Sequence, residues 1–215
     1  MTQTPSTQMS DSPTKKRHSD AEPAHAPERA LRGLGDAAMG CLRGVGPAPS
    51  WNPLDCGDID MRIAADGTWF YCGSPIGRLP LVRLFASVLR KETDRYVLVT
   101  PVEKVGIRVN DAPFLAVEMR VTGEAAGLRL IFRTNVEDLV TVDSEHPLRF
   151  ERGTAEGLKP YVRVRGDLWA LVKRALLCDL VALGRNERIG NQDWFGVRSG
   201  GLFFPMCPVR EIEGL

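Results

Sequence analysis

From Asp58 the chain alternates, with apolar Ile59, Met61 and Ile63 separated by Asp60, Arg62 and Ala64, the period of a strand with one buried face. Asp66-Gly67 precedes a second run, Thr68-Trp69-Phe70-Tyr71-Cys72, so a hairpin closed by a two-residue turn is expected. Ser74-Pro75-Ile76-Gly77 ends that strand. Pro80 then sits near a helix start, where its missing amide hydrogen costs nothing, and Leu81, Leu84, Phe85, Val88 and Leu89 recur at helical spacing. Further strands are expected at 96–100, 105–109, 114–121 and 128–133, divided by turn-forming Thr-Pro, Asn-Asp-Ala-Pro and Gly-Glu-Ala-Ala-Gly, which favours an antiparallel meander. Shorter strands fit 139–142 and 161–165. Asp167 is placed to cap a helix over 168–183, apolar on nearly every face and therefore buried, with Gly184 ending it. Runs at 194–197 and 202–204 flank Ser199-Gly200-Gly201 as a last hairpin.

The pattern before Asp58 differs. Residues 1–27 are rich in Pro, Ser, Thr, Ala and charge, too poor in apolar side chains to offset the entropy of ordering, and read as a disordered tail. Residues 28–50 read as a short helix and an irregular lead-in. The rest divides into an N-terminal domain at 51–118 and a C-terminal domain at 119–215. Each half shows strand, polar break, amphipathic helix and strand, so the expected class is α+β, two similar small domains with mostly antiparallel sheets.

Composition narrows the function classes. Lys and Arg total 28 against 27 Asp and Glu, which removes the broad positive field of a non-specific nucleic-acid binder but leaves room for a local basic pocket. The five cysteines include no CxxC pair and are odd in number, which fits a reducing cytoplasm better than a disulfide framework. No apolar run has the length of a signal peptide core or a membrane span, so no membrane association is expected.

The chain has three histidines, and His18 and His25 fall in the tail, so a hydrolytic triad would have to rest on His146 beside Pro147. Gly33-Leu34-Gly35-Asp36-Ala37-Ala38 spells G-x-G-x-x-A without a preceding strand, and Asp55, Asp58 and Asp60 lack the order of a calcium loop. No metal and no cofactor is expected. Arginine is the distinctive inventory, with Arg62, Arg78, Arg83, Arg108, Arg163 and Arg165 on or beside element ends. These either bind an anion through the guanidinium fork or pair with Asp60, Glu103 and Asp111 on solvated faces.

The stretch CGDIDMRIAADGTWFYCGSPIGRLPLVRLFASVLRKE, followed by YVLVTPVEKVGIRVNDAPFLAV, closely resembles the bacterial family grouped as domain of unknown function 1285. Arg133-Thr134-Asn135, PYVRVRGDLWALVKR at 160–174 and Ser199-Gly200-Gly201 resemble that family's C-terminal portion. The resemblance implies two α+β domains related by duplication, the second pleckstrin-homology-like. It also implies a groove between the domains for a small, nucleotide-type ligand, and a role near signal transduction.

The leading expectation is therefore a cytoplasmic, non-enzymatic ligand-binding or regulatory protein. Arg78, Lys104 and Arg165 are the expected anion contacts, Glu103 and Asn135 the orienting groups, and Trp69 or Tyr161 the stacking face. A protein-interaction module with a signalling partner is the alternative, and an enzyme using Asp60 and Glu103 as acid and base is a third.

Overall fold

The structure is a computed structural model that describes residues 1, 53–124, 127–153 and 157–212. The expected tail over 1–27, Met1 apart, and the expected helix and lead-in over 28–50 lie outside the described residues.

The alternating run after Leu54 becomes β1 (Asp55–Ile63), followed by β2 (Trp69–Tyr71) and β3 (Ser74–Pro75). The chain continues through α1 (Leu79–Ser87) into β4 (Leu89–Glu92), β5 (Arg95–Val99) and β6 (Lys104–Val109). The sheet order is β3-β2-β1-β6-β5-β4. β1 and β6 pair in parallel, and of the expected meander over 96–133 only the first two strands, β5 and β6, lie in this sheet, as an antiparallel pair. Parallel neighbours need a crossover, and α1 with the β4–β5 hairpin supplies it. α1 starts with proline in its first turn and buries Val82, Leu84, Phe85 and Ala86 against the sheet. It stops at Ser87 because Leu89 already belongs to β4.

The turn between β1 and β2 is one residue longer than expected. Ala64 N–H donates to the Thr68 carbonyl at 2.9 Å, leaving Ala65, Asp66 and Gly67 as the loop. Gly67 takes φ +79, the left-handed residue such a loop requires, and the Asp66 carboxylate accepts the Thr68 N–H at 2.9 Å.

A second sheet repeats the plan. β7 (Phe114–Thr122), β8 (Arg129–Thr134), β9 (Leu139–Thr141), β10 (Leu148–Gly153), β11 (Gly157–Arg165) and β12 (Leu168–Val172) are ordered β10-β11-β12-β7-β8-β9. Again the central pair, β12 with β7, is parallel, and the others are antiparallel. This sheet begins at Phe114, so the expected domain division between 118 and 119 falls inside β7.

The expected long buried helix over 168–183 is corrected here. Leu168, Ala170 and Val172 point inward and Trp169 and Leu171 are half-buried, a two-residue period, and only 174–182 is helical as α2 (Arg174–Ala182). An unbroken apolar run satisfies both periods, and hydrogen-bonding neighbours on each side decide for the strand. α2 itself buries only Leu180. Asp167 lies in the β11–β12 turn and caps nothing.

The last hairpin forms as expected, within a three-stranded sheet of β13 (Arg185–Ile189), β14 (Gln192–Ser199) and β15 (Leu202–Pro208), followed by α3 (Val209–Ile212). The fully buried Ser199 hydroxyl accepts the Leu130 N–H at 2.9 Å and donates to the Val142 carbonyl at 2.6 Å, tying this sheet to the second one. Apolar packing is continuous, from Met61, Trp69 and Phe85 to Phe132, Leu180 and Val197. The molecule is mostly β-sheet with few helices, more strand-rich than the expected α+β.

Candidate functional site

The first and second sheets meet along a seam of hydrogen-bonded polar side chains. Arg165 at the end of β11 donates from Nη1 to Asp138 Oδ2 at 2.8 Å and from Nη2 to the Ala86 carbonyl of α1 at 2.6 Å, with its guanidinium 5.1 Å from the Phe114 ring centroid. Asn135 accepts the Leu115 N–H at 3.0 Å and donates to the Gly67 carbonyl at 3.4 Å. A Cβ at Gly67 would fall 2.8 Å from Asn135 Nδ2 and 3.0 Å from Leu115 Cδ1, so the close approach of that loop needs glycine for room as well as for φ. Tyr161, 3% exposed, donates its hydroxyl to Asp111 Oδ1 at 2.7 Å, and Lys159 reaches Asp111 Oδ2 at 3.1 Å. Arg83 of α1 pairs with Glu137 at 3.4 Å.

Beside this seam the same strands bring rings and cations together, with Tyr161 buried and Arg149 about half exposed. Arg149 on β10 stands opposite Tyr161 on β11, and Arg163 opposite Trp169 on β12. The Arg149 guanidinium lies 4.2 Å from the Trp169 ring centroid and 5.0 Å from that of Tyr161, and its Nε is 3.2 Å from Glu151. In the first sheet Tyr96 lies within electrostatic reach of Arg149, Asp111 and Asp167, and the Lys91 ammonium lies 5.6 Å from its ring centroid. Burial pushes the Tyr96 phenol up. Burial, and then the hydrogen bond to the Asp111 carboxylate, push Tyr161 up further. Both rings therefore stay neutral in any ordinary buffer, and no carboxylate pairs with Lys91 among the described residues.

The other expected site residues are dispersed. Trp69 is 1% exposed and lies 6.2 Å from Phe85 centroid to centroid, so it packs the core of the first domain and offers no open stacking face. Lys104 pairs with Glu92 at 2.8 Å on the first sheet. Glu103 shapes the Thr100–Glu103 turn through its backbone, its N–H donating to Thr100 Oγ1 at 3.2 Å. Arg78 is exposed at the start of α1. Of the expected set, the structure brings Arg165, Asn135 and Tyr161 to the seam and leaves Arg78, Lys104, Glu103 and Trp69 in the first domain. Sequence reasoning missed Arg149, Trp169, Lys91 and Tyr96. Only register could have found them, since Arg149 and Tyr161 lie twelve positions apart and meet as cross-strand partners.

Asp60 pairs with Arg108 at 3.0 Å, Asp55 and Asp58 share Arg95 at 2.7 and 2.6 Å, and His146 contacts Asp143 at 3.2 Å. No group of three metal-capable side chains occurs among the described residues. Nor is any helix among them long and apolar enough to cross a membrane.

Comparison with known proteins accounts for the two-sheet division. The domain of unknown function (DUF1285), N-terminal domain, matches residues 46–112, and the protein of unknown function (DUF1285), C-terminal domain, matches residues 113–206. A DUF1285 family protein of Silicibacter pomeroyi DSS-3, solved as a crystal structure, is 48% identical, with 84% of this chain and 98% of that chain covered at a TM-score of 0.75. A DUF1285 family protein of Shewanella baltica OS155 is 30% identical over 58% of this chain and 91% of that one, at a TM-score of 0.47. No curated protein matches the chain. The chain belongs to the DUF1285 family.

Proposed function

We propose that this DUF1285 chain is a ligand-binding, regulatory protein that takes a small anionic molecule of nucleotide type where its two domains meet. The observation that carries the reading is Arg149 spread across Trp169 and Tyr161, with Lys91 on Tyr96 of the other domain within electrostatic reach. Rings beside guanidinium and ammonium groups suit a ligand that is flat at one end and negative at the other. Glu151 already occupies one edge of Arg149 and has to be displaced, which favours a multiply charged phosphate over a single carboxylate.

The anion contacts in this reading are Arg149 and Lys91, with Trp169 as the stacking face. Arg165, Asn135 and Tyr161 hold the two domains in register around it. Operation in the cytoplasm and in bacterial signalling, with a protein partner reading the liganded state, belongs to the same proposal. So do the duplication, which the central parallel pair in both sheets supports, and the pleckstrin-homology-like character of the second domain, which rests on the family resemblance.

Calorimetric titration of the full chain with adenosine and guanosine mono-, di- and triphosphates, and with inorganic phosphate, tests the reading. At least one nucleotide is expected to bind more tightly than inorganic phosphate, and Arg149→Gln to weaken it about tenfold or more, the scale of a lost charge-assisted pair. Binding no tighter than inorganic phosphate across the panel, or unchanged in Arg149→Gln, overturns it.

A further inference from the structure

We infer that the third sheet carries a separate binding site for an amphipathic carboxylate, a fatty acid of medium length, independent of the interdomain face. A cleft of about 400 Å³ opens between Leu158 of β11, Val181 at the end of α2, Phe195 of β14, Met206 of β15 and Val209 of α3. The volume is at the small end of ligand sites and the walls are almost wholly hydrocarbon. Cys207 adds a thiol to the wall, and Asn186 of β13 is the one uncharged polar side chain on it.

Two features show that the cleft is built into the packing. Gly184, just after α2, lies against the Phe195 ring so closely that a Cβ there would sit 2.0 Å from Cζ, so the bare backbone is what gives the ring its seat in the wall. A side chain at 184 would force the ring to move. On the far side Glu211 of α3 pairs at the surface with Arg152 of β10, a strand that packs against β15.

Arg152 supplies the polarity. It is largely exposed and pairs with Glu211, two residues beyond the cleft-lining Val209, and its charge draws the Cys207 thiol down against the larger upward push of burial. The cation at the edge of the cleft is already satisfied by a carboxylate, that of Glu211. A fatty acid carboxylate offers the same partner while its chain removes apolar wall from water, which the Glu211 side chain does not do. Chain length should therefore govern affinity, and Glu211 should compete with the ligand.

The experiment uses the full chain with Cys41, Cys56, Cys72 and Cys178 changed to serine, leaving Cys207 as the reporter. Decanoate is expected to bind saturably by calorimetry and to protect Cys207 from N-phenylmaleimide, with octanoate weaker by about tenfold for its two missing methylenes. Glu211→Gln frees Arg152 and is expected to tighten decanoate severalfold. Arg152→Gln, at an exposed position, is expected to loosen decanoate about tenfold and to erase its advantage over decanol. Absence of saturable decanoate binding overturns the inference. So does binding without protection of Cys207, or an affinity that is the same in Glu211→Gln and Arg152→Gln.

Discussion

Arg165 and Arg149 lie on neighbouring strands of one sheet, each over an aromatic ring, yet they are used differently. Arg165 spends its donors on Asp138 and on a carbonyl of the opposite domain, whereas Arg149 spreads over two rings and, among the described residues, meets one carboxylate, at 3.2 Å. The first arginine joins the domains, and the second is the one that the proposed reading gives to a ligand. Residue type and position at an element end do not separate the two roles. The partners do, and they become visible only when the strands are in register.

Substitutions can break that distinction. Trp69→Ala should have the largest effect, a loss of about 3–5 kcal/mol in denaturant-induced unfolding, because a fully buried ring leaves a cavity beside Phe85. Had Trp69 been a stacking face, the loss would appear in ligand affinity with stability kept. Arg165→Ala follows, at about 1–2 kcal/mol, since it strips the Ala86 carbonyl and Asp138 of their donor at a partly exposed site.

Tyr161 and Tyr96 sharpen the seam by their pH response. Their phenols are held above the ordinary value of about 10, so the unfolded chain loses these protons first and stability falls as pH rises through that value. Urea melts at stepped alkaline pH should show the fall, and Tyr161→Phe should flatten it. Arg149→Ala is expected to be the mildest for stability, under about 1 kcal/mol, the scale of an exposed cation over a ring.

Much of the fold is legible in the sequence where a short alternating or apolar run is bounded by turn formers. β1, β2, β5 to β9 and the last hairpin are of this kind. The strands it conceals are β3, β4, β10 and β13, and each is the edge of its sheet. Leu-Arg-Lys-Glu in β4 and Arg-Asn-Glu-Arg-Ile in β13 carry the charges that keep an edge from pairing with a neighbour, and those charges erase the period. Leu168-Trp169-Ala170-Leu171-Val172 fails for the opposite reason, being apolar throughout and so without a period of its own. At the site, Tyr161, Asn135 and Arg165 are legible as polar or aromatic groups on or beside expected strands, but Arg149 with Trp169 is a meeting of strands that no local pattern records.

The division between a joining arginine and a binding one is tested most directly by the rise in melting temperature that a nucleotide gives to Arg149→Ala and to Arg165→Ala, each against the full unaltered chain. Binding to the folded state alone raises the melting temperature. The account predicts that Arg165→Ala melts lower but keeps the nucleotide-induced rise, whereas Arg149→Ala melts near the unaltered chain and loses it. A rise kept in Arg149→Ala and lost in Arg165→Ala would contradict it.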